Sequence, residues 1–129
     1  MADRIDSMIG MTMRGVSPAS KGSEELVFTA EDGTTFRFYH GQDCCENVAI
    51  EDICGDLADL IGSPITQAEE VVSEPDAEPK PGEYAESWTW TFYKFATVKG
   101  GVTVRWLGES NGYYSESVDL EVSAPQSVQ

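Results

Sequence analysis

Basic residues are scarce in this chain. Eight Lys and Arg stand against twenty-three Asp and Glu, leaving a formal net charge of −15. Nucleic acid and anionic membrane are therefore poor direct ligands, because each needs Lys and Arg to meet phosphate. Long apolar runs are absent as well: none approaches the ~20 residues of a membrane-spanning helix. No basic-then-apolar leader opens "MADRIDSMIGMTMRG", and the three cysteines are too few and odd in number for a disulfide framework. A soluble protein of the reducing cytoplasm is expected. Also missing are a phosphate-binding loop with its lysine, a dinucleotide fingerprint and an H-E-x-x-H helix, so no enzyme class is signalled.

The acid that is present is unevenly spread. Residues 1–40 hold six acidic and four basic residues, net −2, whereas residues 41–129 hold seventeen and four, net −13. Such a balance suits a partner with a basic surface, and it also keeps a small protein in solution. With 40% hydrophobic residues, including three Trp, five Tyr and five Phe, the chain can still build a core. Its 129 residues suit one domain, expected over 1–122, with "SAPQSVQ" at 123–129 as a polar tail.

Most of the pattern is β. Ile5, Met8 and Ile9, closed by Gly10, predict a short N-terminal helix, and "MTMRGVSP" a first strand. "ELVFTAEDGTTFRFYH" reads as a hairpin turning at Asp32-Gly33. After an extended "NVAI", Ile53, Leu57, Leu60 and Ile61 have the spacing of one helical face, with Asp52 as N-cap and Gly62 and Pro64 as the stop. "ITQAEEVVS" predicts a strand, and the Pro-rich "EPDAEPKPGEY" a loop. Residues 86–122 predict a three-stranded antiparallel meander turning at Gly100-Gly101 and Asn111-Gly112. Within it, Trp88, Trp90 and Phe92 fall on one face, and Tyr93 and Phe95 on the other. The expected fold is α+β: a mainly antiparallel twisted sheet of about five to seven strands with one short central helix.

The chemistry-bearing side chains gather in "HGQDCCENVAIEDICGD", residues 40–56, which holds the only histidine and all the cysteines. His40, Cys44, Cys45 and Cys54 are the ligand types and the number a structural zinc site uses, and a strand exit, a loop and a helix start could bring them together. Their spacing departs from the usual paired-ligand pattern, so small buried cysteines and a hydrogen-bonded histidine stand as the other reading. A nucleophilic cysteine with His40 as base lacks an orienting third group. Asp52, Asp56 and Asp59, at i, i+4 and i+7 on the predicted helix, would form a carboxylate stripe with Glu46 and Glu51 nearby. The adjacent pairs Glu51/Asp52 and Glu69/Glu70 read as solvated acid, since neighbours diverge on a helix or a strand.

Three blocks carry a resemblance: "FYHGQDCCENVAIEDICGDLADLIGSPI" at 38–65, "ESWTWTFYKFATVKGGVTVRW" at 86–106 and "GESNGYYSESVDLEV" at 108–122. Together they resemble a family of small acidic proteins encoded by bacteriophages and prophages, departing from it at the acidic Pro loop and at Gly41. The resemblance implies a phage accessory protein, and the charge adds a mode of action. The expectation is a non-enzymatic inhibitor of a host nucleic-acid-handling or defence protein, of anti-CRISPR or anti-restriction type. Glu46, Glu51, Asp52, Asp56 and Asp59 would take the place of DNA phosphates in a Lys/Arg groove. Two other readings stand beside it. One is a zinc-stabilised adaptor domain. The other is a protein that sequesters a small molecule by stacking on Trp88, Trp90, Trp106, Tyr113 or Tyr114. The sequence leaves monomer and homodimer open.

Overall fold

The computed structural model describes residues 5–17, 22–41, 46–72, 87–110 and 116–123. Eight strands run through them: β1 Met13–Ser17, β2 Glu25–Ala30, β3 Thr35–Tyr39, β4 Asn47–Cys54, β5 Gln67–Val72, β6 Ser87–Thr97, β7 Gly100–Ser110 and β8 Asp119–Ser123. They form two antiparallel four-stranded sheets, ordered β1-β2-β3-β8 and β4-β7-β6-β5. Short 3-10 helices at Ile5–Met8 and Leu57–Leu60 complete the regular structure. Among the described residues no helix is long and apolar enough to cross a membrane.

Alternation explains how the sheets pack. In β2 and β3 every second residue is buried, so Leu26, Phe28, Phe36 and Phe38 point inward while Val27, Arg37 and Tyr39 point out. From the second sheet, Tyr93 and Phe95 meet them: ring centroids lie 4.7 Å apart for Phe38–Tyr93 and 5.1 Å for Phe28–Phe95. One core cluster therefore spans both sheets, with Val104 and Trp106 of β7 fully enclosed. The β2–β3 turn forms at the expected Asp32-Gly33. Asp32 accepts a hydrogen bond from the Thr34 amide at 2.9 Å, and Gly33 takes φ 96°.

Three expectations are corrected. The predicted central helix is reduced to the 3-10 turn Leu57–Leu60, because β4 continues to Cys54 and pairs Ile53 with Val104 and Cys54 with Thr103. Gly55 then turns the chain at φ 112°, and Asp56, rather than Asp52, caps the following single turn by accepting from the Ala58 amide at 2.9 Å. A Cβ at Gly55 would lie 2.7 Å from the Gly101 carbonyl oxygen, so glycine lets this turn lie against β7. The fold is thus mostly β, with two sheets in place of one sheet and a helix.

The second correction concerns the β6–β7 turn, which falls on Val98-Lys99, with Thr97 opposite Gly100. Thr97 holds it, its hydroxyl donating to the Asp59 carbonyl and accepting from the Lys99 amide. The third concerns β8, which leaves the predicted meander and pairs with β3, because β4 occupies the free side of β7. On its way the chain crosses close above β7: a Cβ at Gly108 would come within 2.3 Å of the Glu116 carbonyl oxygen. The Glu116 carboxylate accepts from the Thr89 hydroxyl at 2.8 Å and from the Ser110 hydroxyl at 2.5 Å, fixing the crossing to the second sheet. Strand β8 runs to Ser123, the first residue assigned by sequence to the tail.

Candidate interaction surface

His40 follows β3 and Glu46 precedes β4, so the segment joining the two sheets begins and ends on these residues. The two side chains are 3% and 0% exposed and form an ion pair, Nε2 to Oε2, at 2.8 Å. The other ring nitrogen, Nδ1, lies 2.7 Å from the Ser117 carbonyl oxygen. Both nitrogens thus face acceptors, which is the arrangement of an imidazolium donating twice. Burial alone would lower the His40 pKa, but the hydrogen bonds to Glu46 and Ser117, with the charges of Glu46 and Asp119, hold it above the usual 6.5. Asp119 also accepts from the Gly41 amide at 3.1 Å. This corner joins β3, β4 and the chain entering β8.

The same geometry separates the proposed zinc ligands. His40 is held against Glu46 at one end of β4, and Cys54 lies at the other, roughly 20 Å or more away at the rise of a strand. One ion cannot reach both. The set assumed a loop and a helix where the chain is extended, and His40 spends both nitrogens on oxygen acceptors. Cys54 is exposed and its thiol donates to Asp52 at 3.7 Å. Cys44 and Cys45 lie outside the described residues, and among the described residues no three His, Cys, Asp or Glu side chains group as metal ligands.

The predicted acidic stripe disperses too. Glu46 is buried, so it cannot meet a partner. A bulge between Ile50 and Asp52 places Glu51 and Asp52 beside Arg105. Arg105 Nε donates to Glu51 at 2.9 Å, and its guanidinium lies 4.0 Å from Asp52 and 5.1 Å from the Trp90 ring centroid. Asp56 is exposed at its cap, and Asp59 is half-buried under the β6–β7 turn. No single helical face displays the five.

Cations are neutralised in the same way on the first sheet. Arg37 pairs with Glu25, reaches Glu121 at 3.9 Å, and lies 3.9 Å over the Tyr39 ring. The Glu25 hydrogen bond raises the Arg37 pKa, as the Glu51 bond raises that of Arg105. Lys99 donates to the Ile61 carbonyl oxygen at 2.6 Å. Exposed carboxylates remain on several sides: Glu31, Asp32, Asp56, Glu69, Asp119 and Glu121.

The stacking residues are largely enclosed. Trp106 is in the core, and Trp90, 8% exposed, sits on the outer face of β6 near Arg105. The indole nitrogens of Trp88 and Trp106 are buried without a hydrogen-bond partner. Tyr113 and Tyr114 lie outside the described residues.

Strand β5 was undervalued by the sequence reading. Its last four residues, Glu69, Glu70, Val71 and Val72, are all exposed. The signal was the unalternating "EEVV", which gives neither face of the strand a preference for the core. Glu70 accepts a 2.6 Å hydrogen bond from the buried Tyr93 hydroxyl. Burial, then this carboxylate, push the Tyr93 pKa far up, so the phenol stays a donor.

No curated protein and no solved structure matches this chain. A family model, described as Domain of unknown function (DUF7448), matches residues 6–120, from the first 3-10 helix into β8. The chain belongs to that family.

Proposed function

We propose that this is a phage-encoded, non-enzymatic accessory protein of the host bacterial cytoplasm. It binds and inhibits a host nucleic-acid-handling or defence protein, of the anti-CRISPR or anti-restriction type, through its acidic surface. The observation that carries this reading is the treatment of charge. Arg37 and Arg105 are each engaged by carboxylates, whereas acidic side chains are left exposed around the domain. A partner with a Lys/Arg groove would be steered toward such a surface and held by ion pairs formed on contact. The contact is spread over both sheets and their turns, since the predicted five-residue stripe is not one surface.

Substitution of charge without loss of shape tests the reading. In a variant with Glu31→Gln, Asp56→Asn and Glu121→Gln, three exposed carboxylates lose their charge while the cap at residue 56 is kept, because Asn caps as well as Asp. Capture of proteins from bacterial lysate should weaken severalfold while the melting temperature changes little. Undiminished capture of the same protein would take these three carboxylates out of the contact.

A further inference from the structure

We propose that the open edge of β5 receives an extended, Lys/Arg-bearing segment of the partner as an added strand of the second sheet. This deepens the acidic-surface reading and rests on it. Edge strands expose unpaired backbone donors and acceptors, and a fold normally closes or blunts them. Here two edges are closed by neighbouring segments. On β4, Ile50 exchanges backbone hydrogen bonds with Gly22 and Ser23, at 2.7 and 2.8 Å. On β1, the Met13 carbonyl accepts from Gly62 at 2.9 Å, and residues 12 and 13 bridge to Pro64 and Ile61. At the start of the β5 edge, Gly10 and Met11 exchange backbone hydrogen bonds with Ile65 at 2.8 and 2.9 Å, and the first 3-10 helix packs against β5. Farther along, Glu69–Val72 pair with β6 on one side and have no such closure among the described residues.

The side chains on this edge suit an incoming strand. Val71 and Val72 are 44% and 53% exposed and fall on opposite faces, so apolar contact is offered above and below the sheet. Glu69 and Glu70 precede them, likewise on opposite faces, and Tyr93 fixes the Glu70 carboxylate at the edge. Strand addition draws affinity from main-chain hydrogen bonds and specificity from alternate side chains.

Charge selects the occupant. Two copies of this chain pairing antiparallel about the middle of residues 67–72 would set Glu69 against Glu70 of the other copy, twice. Like charges directly opposite are destabilising in a sheet, whereas a Lys or Arg opposite each Glu is stabilising. The edge thus rejects its own copy and accepts a basic strand.

The test uses the isotope-labelled full chain at low salt. It is titrated with a short synthetic peptide of alternating Lys and Val, and separately with the same peptide N-methylated on alternate backbone amides. The expected result is amide exchange slowed about tenfold and confined to residues 67–72, little binding of the methylated peptide, and affinity lowered about tenfold by Glu69→Lys. Glu70 is left in place because Tyr93 depends on it. Equal binding of both peptides, or shifts scattered over Glu31, Asp56 and Glu121 without protection at 67–72, overturns the edge site and leaves the acidic-surface reading standing. Failure of both peptides to bind also overturns the edge site, and lysate capture then decides the acidic reading separately. Protection of 67–72 that rises with concentration in the protein alone replaces the basic segment with a second copy and overturns the proposal.

Discussion

Gly108→Ala is expected to lower stability by about 3 kcal/mol, near the upper end for forcing extra volume into a packed site. The added methyl would sit 2.3 Å from the Glu116 carbonyl oxygen and 2.8 Å from the Glu116 Cβ. Neither is the end of a flexible side chain. Relief requires the backbone crossing from β7 to β8 to lift, which pulls the Glu116 carboxylate from Thr89 and Ser110 and disturbs the pairing of β8 with β3. Gly15→Ala is the control, since a Cβ there has no neighbour within 4 Å. Urea denaturation of both variants measures the difference. Equal midpoints would mean that Glu116 does not cross above Gly108.

His40→Ala should cost about 3–5 kcal/mol, because it removes the imidazolium that faces the Glu46 carboxylate in a site where neither side chain meets solvent. Replacing both members, as His40→Leu with Glu46→Leu, should recover much of that loss, since removing a buried pair costs less than breaking it. The pH dependence has a definite sign. The His40 pKa is raised in the folded state, above its ordinary value of 6.5. The stabilisation tied to protonation is fully present below the unfolded value, and it fades as pH rises through the folded one. Stability relative to a His40→Gln variant should therefore decline as pH rises above the ordinary histidine value of 6.5. Glu46, Asp119 and the Ser117 carbonyl are the groups that set this response. A difference that is flat with pH would show that the histidine is not held as an imidazolium.

The sequence made much of this fold legible where turn chemistry and alternation agree. Asp32-Gly33 between alternating arms became the β2–β3 hairpin, and Tyr93 and Phe95 faced away from Trp88 and Trp90 as the period of two requires. It misled where a bulge shifted the period. The spacing of Ile53, Leu57, Leu60 and Ile61 suggests one helical face, yet Ile53 turns inward from β4, because the bulge after Ile50 shifts the alternation by one residue. Leu57 and Leu60 extended the illusion, since a single 3-10 turn buries residues three apart just as an α-helix does. Reading the helix one strand too early then grouped Asp52 with Asp56 and Asp59, and His40 with Cys54.

Long-range pairing was less legible still. No local feature announces that Glu46 is the partner of His40 rather than a surface acid, because the pair forms only when β3 and β4 are assigned to different sheets. The same holds for β8. Its strand character is local, but its place beside β3 follows from β4 having filled the free side of β7. Nor does any local feature mark Gly108 as the residue that permits the crossing.

The most direct measurement of the central claim is capture from host bacterial lysate with the tagged full chain, at low and raised salt, with the bound proteins identified by mass spectrometry. The account predicts one prominent nucleic-acid-handling or defence protein at low salt, released as salt screens the exposed carboxylates. A specific partner held equally well at raised salt, or a partner without a basic surface, would contradict recognition through acidic charge.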